Sequence, residues 1–374
     1  MQDDSPVPFL DLARGYEETA AEMEAAVLEV LRSRGYVLGP AVERFEREVA
    51  EFLGVEHALG VSSGSEALLL ALVALDVGPG DQVVTTPFTF FSTVSSIVRS
   101  GAEPVFADVS EEDLLLDAEA VSAVVGDRTR AILPVHLYGQ CVDFEAIDAI
   151  ARPRGIPVIE DAAQAIGARR SGLGAGQFGD LSCFSFYPTK NLAACGDAGL
   201  VVTTDDRLMA RVRRLRDHGS ERRYEHLEIG WNARLDGIQA AALSVGLGRL
   251  EERNRARVAR ASRYDALIAQ AELSDIVRPL RTAPAAEHVF HQYVVRVPER
   301  DRLQEHLNAR GIGSAIYYPT PLHLQPCFDS LGYAVGDFPI AERAAGEVLA
   351  LPMFPQLRDA EQERVISEIA SFYR

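Results

Sequence analysis

The sequence is poor in cysteine, in long apolar runs and in positive charge. Its 374 residues include 4 cysteines, and none of their spacings is typical of a metal site, so we expect no metal. A reducing cytoplasm is the simplest compartment for such a chain. No run of about 18 uninterrupted apolar residues is present, so we expect no membrane span. The N-terminus is acidic and lacks the positive-then-apolar pattern of a signal peptide, so we expect no secretory leader.

Acidic residues outnumber basic ones. The chain has 55 Asp and Glu against 37 Lys and Arg, a formal net charge of −18. A nucleic-acid-binding surface needs clustered Lys and Arg, so we expect no nucleic-acid partner. Two basic clusters, at 211–216 and 249–263, are interpreted as solvated helix faces. Hydrophobic residues make up 47% of the chain, which excludes a disordered protein.

Short apolar segments alternate with helical ones over the first part of the chain. This alternation predicts a three-layer α/β/α domain whose sheet is mostly parallel. From about Leu250 a long helix rich in Arg and Glu leads into mixed strands and helices. We therefore predict a large domain over 1–249, with residues 1–15 free to pack elsewhere, and a smaller α+β domain over 250–374. The predicted strands of the large domain are His57–Val61, Gln82–Thr86, Glu103–Ala107, Ala131–Val135, Pro157–Glu160, Leu181–Phe186 and Gly199–Thr203.

Two glycine motifs need separate interpretation. Residues 174–179 match G-x-G-x-x-G, but they lead into a strand instead of opening a helix, so we interpret them as a turn and not as a nucleotide site. Residues 60–64 match G-x-S-x-G between a strand and a helix, which is the setting of a hydrolase nucleophile. A serine hydrolase that uses Ser62 is therefore a remote alternative, and an active-site serine probe would test it.

A lysine and an acid each follow a buried strand. Asp161 comes directly after the strand Pro157–Glu160, and ligands of parallel α/β sheets bind beyond the carboxyl ends of strands. Lys190 follows Leu181–Phe186 in a chain where lysine is scarce. The small residues 64–66 open a helix whose N-terminus can bind a phosphate, and Phe90 offers an aromatic ring. Together these groups are what pyridoxal phosphate requires.

The same residues lie in blocks that resemble the DegT/DnrJ/EryC1/StrS family of nucleotide-sugar aminotransferases. The resemblance implies a fold-type-I, pyridoxal-phosphate-dependent transferase, and it covers nearly the whole chain. The blocks that carry it occur in the order expected for that family. They are residues 36–40, 64–68, 87–90, 134–140, 160–164, 185–192 and 232–236.

The resemblance implies a role for each matching residue. Lys190 would hold the cofactor covalently and move the proton, and Asp161 would bind the pyridine nitrogen. Asn232 would reach the phosphate of the partner subunit's site, which implies a homodimer with shared active sites. The other implied cofactor contacts are Gln164 at the phenolic oxygen, Phe90 on the ring face, and Gly64, Ser65, Glu66 and Ser185 at the phosphate. Candidate substrate contacts, each of which could instead be structural, are His136, His218, Arg234, Tyr318 and His323.

The resemblance also narrows the choice of reaction type and substrate. Relatives that remove a sugar hydroxyl carry His at the position of Lys190, so the lysine favours transamination. The expected reaction moves an amino group from glutamate to carbon 3 of a UDP-linked 2-acetamido-3-keto-glucuronate, as in the biosynthesis of O-antigen amino sugars. A dTDP-linked 3-keto-6-deoxyhexose and amination at carbon 4 remain alternatives. A non-catalytic regulator is a further alternative, which the net charge of −18 disfavours.

Overall fold

The computed structural model describes residues 5–374. Within that range, none of the helices combines the length and the hydrophobicity that crossing a bilayer requires. The helices in chain order are α1 (Leu12–Glu17), α2 (Ala20–Ser33), α3 (Pro40–Leu53), α4 (Gly64–Ala74), α5 (Phe91–Ser100), α6 (Ala118–Val124), α7 (Phe144–Ala151), α8 (Asp206–Arg216), α9 (Gly237–Leu247), α10 (Leu250–Gln270), α11 (Arg300–Ala309), α12 (Pro339–Glu347) and α13 (Asp359–Tyr373).

The strands form one large sheet and several small ones. In chain order they are β1 (His57–Val61), β2 (Gln82–Thr85), β3 (Glu103–Phe106), β4 (Thr129–Ile132), β5 (Ile159–Asp161), β6 (Arg169–Arg170), β7 (Leu173–Gly174), β8 (Leu181–Ser185), β9 (Gly199–Thr203), β10 (Ser220–Arg222), β11 (Glu225–His226), β12 (Arg278–Pro279), β13 (Ala286–Glu287), β14 (Tyr293–Arg296) and β15 (Val348–Leu351).

The large sheet has the order β1-β9-β8-β5 followed by β4-β2-β3. Bridges from Ile132 to Val158 and from Val135 to Asp161 join the two halves in parallel. The pairs β5–β8, β2–β3 and β2–β4 are also parallel, whereas β9 is antiparallel to both of its neighbours. The prediction of a mostly parallel sheet is confirmed, with β9 as the exception. The carboxyl ends of β1, β5 and β8 therefore meet at one edge.

Helix α4 is the central helix of the large domain. The side chain of Ser63 caps it by accepting a hydrogen bond from the Glu66 N–H at 3.2 Å. Its leucines, including Leu68, Leu70 and Leu72, are all buried, because α4 packs against the sheet and against both α5 and α8. A helix that is apolar on every face is stable only when enclosed in this way. Its N-terminus is thereby fixed beside the carboxyl end of β1.

The C-terminal part of the chain builds a second core around the sheet β12-β14-β15. Helices α10, α11 and α13 cover this sheet, and Tyr264, Leu303 and Ile369 are buried between them. Val7 pairs with Ile312 in this part of the molecule, so the first described residues lie against the C-terminal region. The segment 322–345 instead packs its apolar side chains into the core of the large sheet.

Candidate active site

Two glycines shape a cradle at the N-terminus of α4. A Cβ atom on Gly64 would lie 2.7 Å from Ser185 Cβ, and one on Gly199 would lie 2.4 Å from the carbonyl group of Ser63. Only glycine therefore allows the ends of β8 and β9 to touch the start of the helix. The resulting concavity offers helix N–H groups, the positive end of the helix dipole and the Ser185 hydroxyl. This arrangement suits a phosphate group.

Lys190 is the only lysine in the 374-residue sequence. Its backbone N–H donates to the Tyr187 carbonyl at 2.8 Å, which forms a tight turn after β8. Burial lowers the pKa of Lys190 to about 8, although the charge of Asp161 opposes this shift. An amine with such a pKa is free of its proton in a useful fraction of molecules near neutral pH.

Asp161 ends β5 and is 5% exposed. Its Oδ2 accepts a hydrogen bond from Thr93 Oγ1 at 2.8 Å, and its Oδ1 accepts one from the Ala163 N–H at 3.2 Å. Burial raises the pKa of Asp161, whereas these two hydrogen bonds and the charge of Lys190 oppose the rise. A carboxylate has room for about four hydrogen bonds. Asp161 therefore keeps acceptor capacity for a further donor, such as a protonated pyridine nitrogen.

Gln164, Tyr318 and Phe90 lie together near this edge. Gln164 Oε1 accepts from the Tyr138 N–H at 2.6 Å, and its Nε2 donates to the Tyr318 hydroxyl at 3.2 Å. The rings of Phe90 and Tyr318 have centroids 6.3 Å apart, and Phe90 remains exposed just before α5. These contacts bring a predicted ring-stacking residue, a predicted phenolic-oxygen partner and a predicted substrate contact into one group.

His136 is fully buried and both of its ring nitrogens are engaged. Nδ1 accepts from the Val142 N–H at 3.2 Å, so Nε2 carries the proton that it shares with Glu160 at 2.7 Å. Glu160 accepts four more hydrogen bonds, from Ser182 and from the N–H groups of the glycine-rich turn 174–179. The structure therefore gives His136 a structural role and leaves it no free nitrogen for a substrate. The glycine-rich turn binds a protein carboxylate.

His323 is also enclosed. Its Nε2 pairs with Glu342 at 3.0 Å, and its ring packs against Phe106 and Phe338. These contacts place His323 in the core formed with the segment 322–345. As with His136, these contacts favour a structural role for His323 over a contact with the substrate.

The remaining candidates belong to the segment 218–234, which pairs with the carboxyl end of β1 through the bridge between Val61 and Arg234. Asn232 and His218 are exposed, and Arg234 forms an ion pair with Asp217 at 2.6 Å. Among residues 5–374 no hydrogen bond or ion pair connects these three to Lys190 or Asp161. They flank the hairpin β10–β11, where Tyr224 and Ile229 are 83% and 88% exposed.

The hydrolase alternative has no support from the site. The backbone N–H of Ser62 donates to the Ala233 carbonyl, and no histidine in the described part of the chain forms a hydrogen bond with its side chain. A nucleophilic serine needs a base within hydrogen-bond reach. The structure does not assemble one.

Sequence reasoning missed several residues that support the site. Thr93 donates to Asp161 across 68 positions of sequence, and Asn254 contacts Asn191 across 63. A polar residue inside a helix carries no signal of its own for such a contact. For Thr93, the one signal in the sequence is that a polar residue stands among the apolar positions of α5, which face the core.

The fold and this site together define a pyridoxal-phosphate enzyme of fold type I, because the glycine-lined cradle, the carboxylate and the lysine fit the phosphate, the pyridine nitrogen and the aldehyde carbon. The family model of the DegT/DnrJ/EryC1/StrS aminotransferases matches residues 17–370. The chain belongs to this family and is an aminotransferase.

Individual relatives span nearly the whole chain. A pleiotropic regulatory protein of Geobacillus stearothermophilus is 47% identical, over 98% of this chain and 99% of its own. The dTDP-3-amino-3,4,6-trideoxy-alpha-D-glucose transaminase of Streptomyces venezuelae is 44% identical, over 97% and 95%. The UDP-N-acetyl-3-dehydro-alpha-D-glucosamine 3-aminotransferase of Acidithiobacillus ferrooxidans is 41% identical, over 99% and 98%. The crystal structure of DesV from S. venezuelae superposes with a TM-score of 0.95, at 42% identity and 98% coverage of both chains.

Proposed function

We propose that this aminotransferase moves an amino group from glutamate to carbon 3 of a nucleotide-linked keto-sugar. The placement at carbon 3 is supported by the named activities of the S. venezuelae and A. ferrooxidans relatives. The first candidate substrate is a UDP-linked 2-acetamido-3-keto sugar of the glucuronate type. A dTDP-linked 3-keto-6-deoxyhexose is the second candidate, and the 44% identity to a dTDP-sugar transaminase favours it.

The observation that carries this proposal is the juxtaposition of Lys190, Asp161 and the cradle at the start of α4. The bound cofactor supplies an electron sink for the carbon that loses its proton. Asp161 is placed to keep the ring nitrogen protonated. Lys190, with a pKa of about 8, is suited to accept a proton from the substrate carbon and to return it. Phe90, which is exposed beside Tyr318, is suited to stack on one face of the bound ring.

The single lysine makes the cofactor test unambiguous. Borohydride treatment of the loaded enzyme should fix the cofactor covalently on the peptide that contains Lys190. The Lys190→Ala variant, which retains the cradle and Asp161, is the matched control and should take no label. Label on the wild-type chain at another peptide, or full transamination by Lys190→Ala, would contradict the proposal.

A substrate panel distinguishes the candidate sugars. The pyridoxamine form of the enzyme should return to the pyridoxal form with the correct keto-sugar, which changes its absorbance. UDP- and dTDP-linked 3-keto and 4-keto sugars form the panel. Conversion by a 4-keto sugar alone would overturn the placement at carbon 3.

We also propose a homodimer in which Asn232 completes the site of the partner subunit. The support is the exposed apolar surface at Tyr224 and Ile229, next to candidates that do not contact Lys190 in their own chain. Mixing the Lys190→Ala and Asn232→Ala variants should restore part of the activity, because one site per mixed dimer regains both residues. Restoration would not occur if each chain worked alone.

All four cysteines are free thiols, which supports a reducing cytoplasm.

The regulator alternative remains testable because one relative carries a regulatory name. Tight binding of the purified protein to DNA would support it. We expect weak binding that disappears at moderate salt, since a chain of net charge −18 repels a polyanion.

A further inference from the structure

Asn191, the residue after Lys190, begins a run of buried hydrogen bonds. Its Nδ2 donates to Asn254 Oδ1 at 2.8 Å and to the Val289 carbonyl at 3.1 Å. Its Oδ1 lies 3.2 Å from His291 Nδ1. Asn254 in turn donates through Nδ2 to the Ile166 carbonyl at 3.1 Å. We call Asn254, Asn191 and His291 the relay. It connects α10 to the lysine turn and to the segment after Gln164.

The direction of each hydrogen bond in the relay is fixed. Backbone carbonyls can only accept, so the amide that faces Ile166 must present its Nδ2 there. The second N–H of Asn191 Nδ2 points at Asn254, so Asn254 must accept there through its Oδ1. The same argument at Val289 orients the Asn191 amide and leaves its Oδ1 as an acceptor. His291 must therefore donate from Nδ1, and its Nε2 carries a lone pair.

Arg257 strengthens this arrangement from the other side of His291. It is 3% exposed and donates to the carbonyls of Phe290, His291 and Met353 at 3.1 to 3.2 Å. No acidic side chain pairs with it in the described part of the chain. Burial, followed by the charges of Lys190, Arg257 and His288, holds the pKa of His291 well below its usual value. His291 is thus a neutral ring with one tautomer.

We propose that Asn254 and His291 are positioning residues for Lys190: the relay holds the lysine turn and keeps a neutral, fixed imidazole beside the amine, so that water does not solvate the ammonium form. The inference rests on the role proposed above for Lys190 and deepens it. Within residues 5–374, Asp161 is the charged group that acts on Lys190, and its carboxylate favours the ammonium form. The desolvation that lowers the lysine pKa depends on the relay.

The pKa of Lys190 in the cofactor-free protein tests this directly. Because the chain has one lysine, the acetylation rate of its peptide, followed by mass spectrometry over pH 6–11, gives the pKa of that amine. Asn254→Ala should raise the pKa by about one unit, a tenfold loss of free amine at pH 7. Asn254 also lines a cavity of about 510 Å³, from which water would reach Asn191 once the amide is removed.

Two controls separate positioning from simple loss of stability. Gln362→Ala removes another fully buried amide. Gln362 lies on α13 and donates to the carbonyl of Arg260, which is on α10 like Asn254. Gln362→Ala should lower the melting temperature without changing the Lys190 pKa. An unchanged pKa in Asn254→Ala, or an equal shift in Gln362→Ala, would overturn the proposal.

A second pair of variants covers the case in which Asn254→Ala fails to fold. His291→Asn keeps an N–H at the position of imidazole Nδ1, whereas His291→Leu removes it. The first should retain a lysine pKa near that of the wild type and the second should raise it. Equal values in both variants would contradict the proposal. These measurements need neither cofactor nor sugar, so their outcome is independent of which substrate the enzyme uses.

Discussion

Glu160 and Asp161 are consecutive acids at the end of β5, and the two sides of that strand use them differently. Glu160 accepts five hydrogen bonds, from His136, Ser182 and three N–H groups of the turn 174–179. Asp161 accepts two and lies near Lys190. Successive side chains of a strand point to opposite faces, so each acid meets a separate environment.

The pKa values of Glu160 and Asp161 are shifted in opposite directions. Burial alone would raise the pKa of Glu160, but its hydrogen bonds, first of all the one from His136, bring the pKa below the ordinary value. For Asp161 burial prevails and the pKa is raised. A buried acid with every acceptor position filled holds the fold together, whereas one with positions left open can bind a ligand. Four substitutions test this difference between the two acids.

Asp161→Asn should lower kcat by on the order of 10²–10³-fold, because the negative charge opposite the ring nitrogen is lost. The fold should persist, since an amide oxygen can still accept from Thr93. Steady-state kinetics and circular dichroism measure the two effects. A variant with full activity would show that Asp161 is as structural as its neighbour.

Glu160→Gln should destabilise the protein by about 3 kcal/mol, because an amide NH₂ would face donors that now share one carboxylate. Activity per folded molecule should change little. Urea denaturation monitored by fluorescence gives the free energy of unfolding. Its pH dependence is a further check: the lowered pKa of Glu160 contributes stability above the unfolded pKa and loses it as pH falls. That acid-side loss should shrink in the variant.

Thr93→Val should lower kcat about tenfold and destabilise the fold by about 1 kcal/mol, since one of the two hydrogen bonds to Asp161 disappears. The substitution preserves shape, so Thr93→Ser serves as the control that restores the hydroxyl. If Thr93→Ser is as impaired as Thr93→Val, the methyl group and not the hydrogen bond is what matters.

Lys190→Met should alter how the stability of the cofactor-free protein varies with pH. Because the folded state lowers the pKa of Lys190 from 10.5 to about 8, the unfolded state binds more protons between these values, and wild-type stability should rise with pH in that interval. The variant should lack this rise and be the more stable protein at pH 7. Thermal unfolding of both proteins across pH 7–10.5 measures how their stability varies with pH. A rise of equal size in both proteins would show that another group causes it.

Much of the large domain and the centre of the site could be predicted from the sequence. Asp161 and Lys190 each follow a buried strand, and the structure brings the two together. Their roles remain those that the family resemblance implies. The antiparallel direction of β9 could not be predicted, because an apolar run has no direction. The change of composition near Leu250 gave no sign that the segment 322–345 returns to the core of the large sheet.

The residues that support the site could not be predicted from the sequence, for a different reason. Thr93, Asn254 and His291 are brought to the site across 63 to 100 positions of sequence. Each is a common polar residue in an ordinary local context. Only the tertiary packing of α5, of α10 and of the segment before β14 gives these side chains their partners, and no local pattern encodes that packing.

The solitary lysine has a practical consequence for spectroscopy. Expression in medium that contains ¹⁵N-lysine would place a labelled side-chain nitrogen at one position of the folded enzyme, the one expected to carry the chemistry. The side-chain nitrogen signal would then report protonation, cofactor attachment and substrate turnover, with no assignment step. Arginine supplies every other long cationic side chain, so the proposed active site is the one position at which a lysine signal would arise.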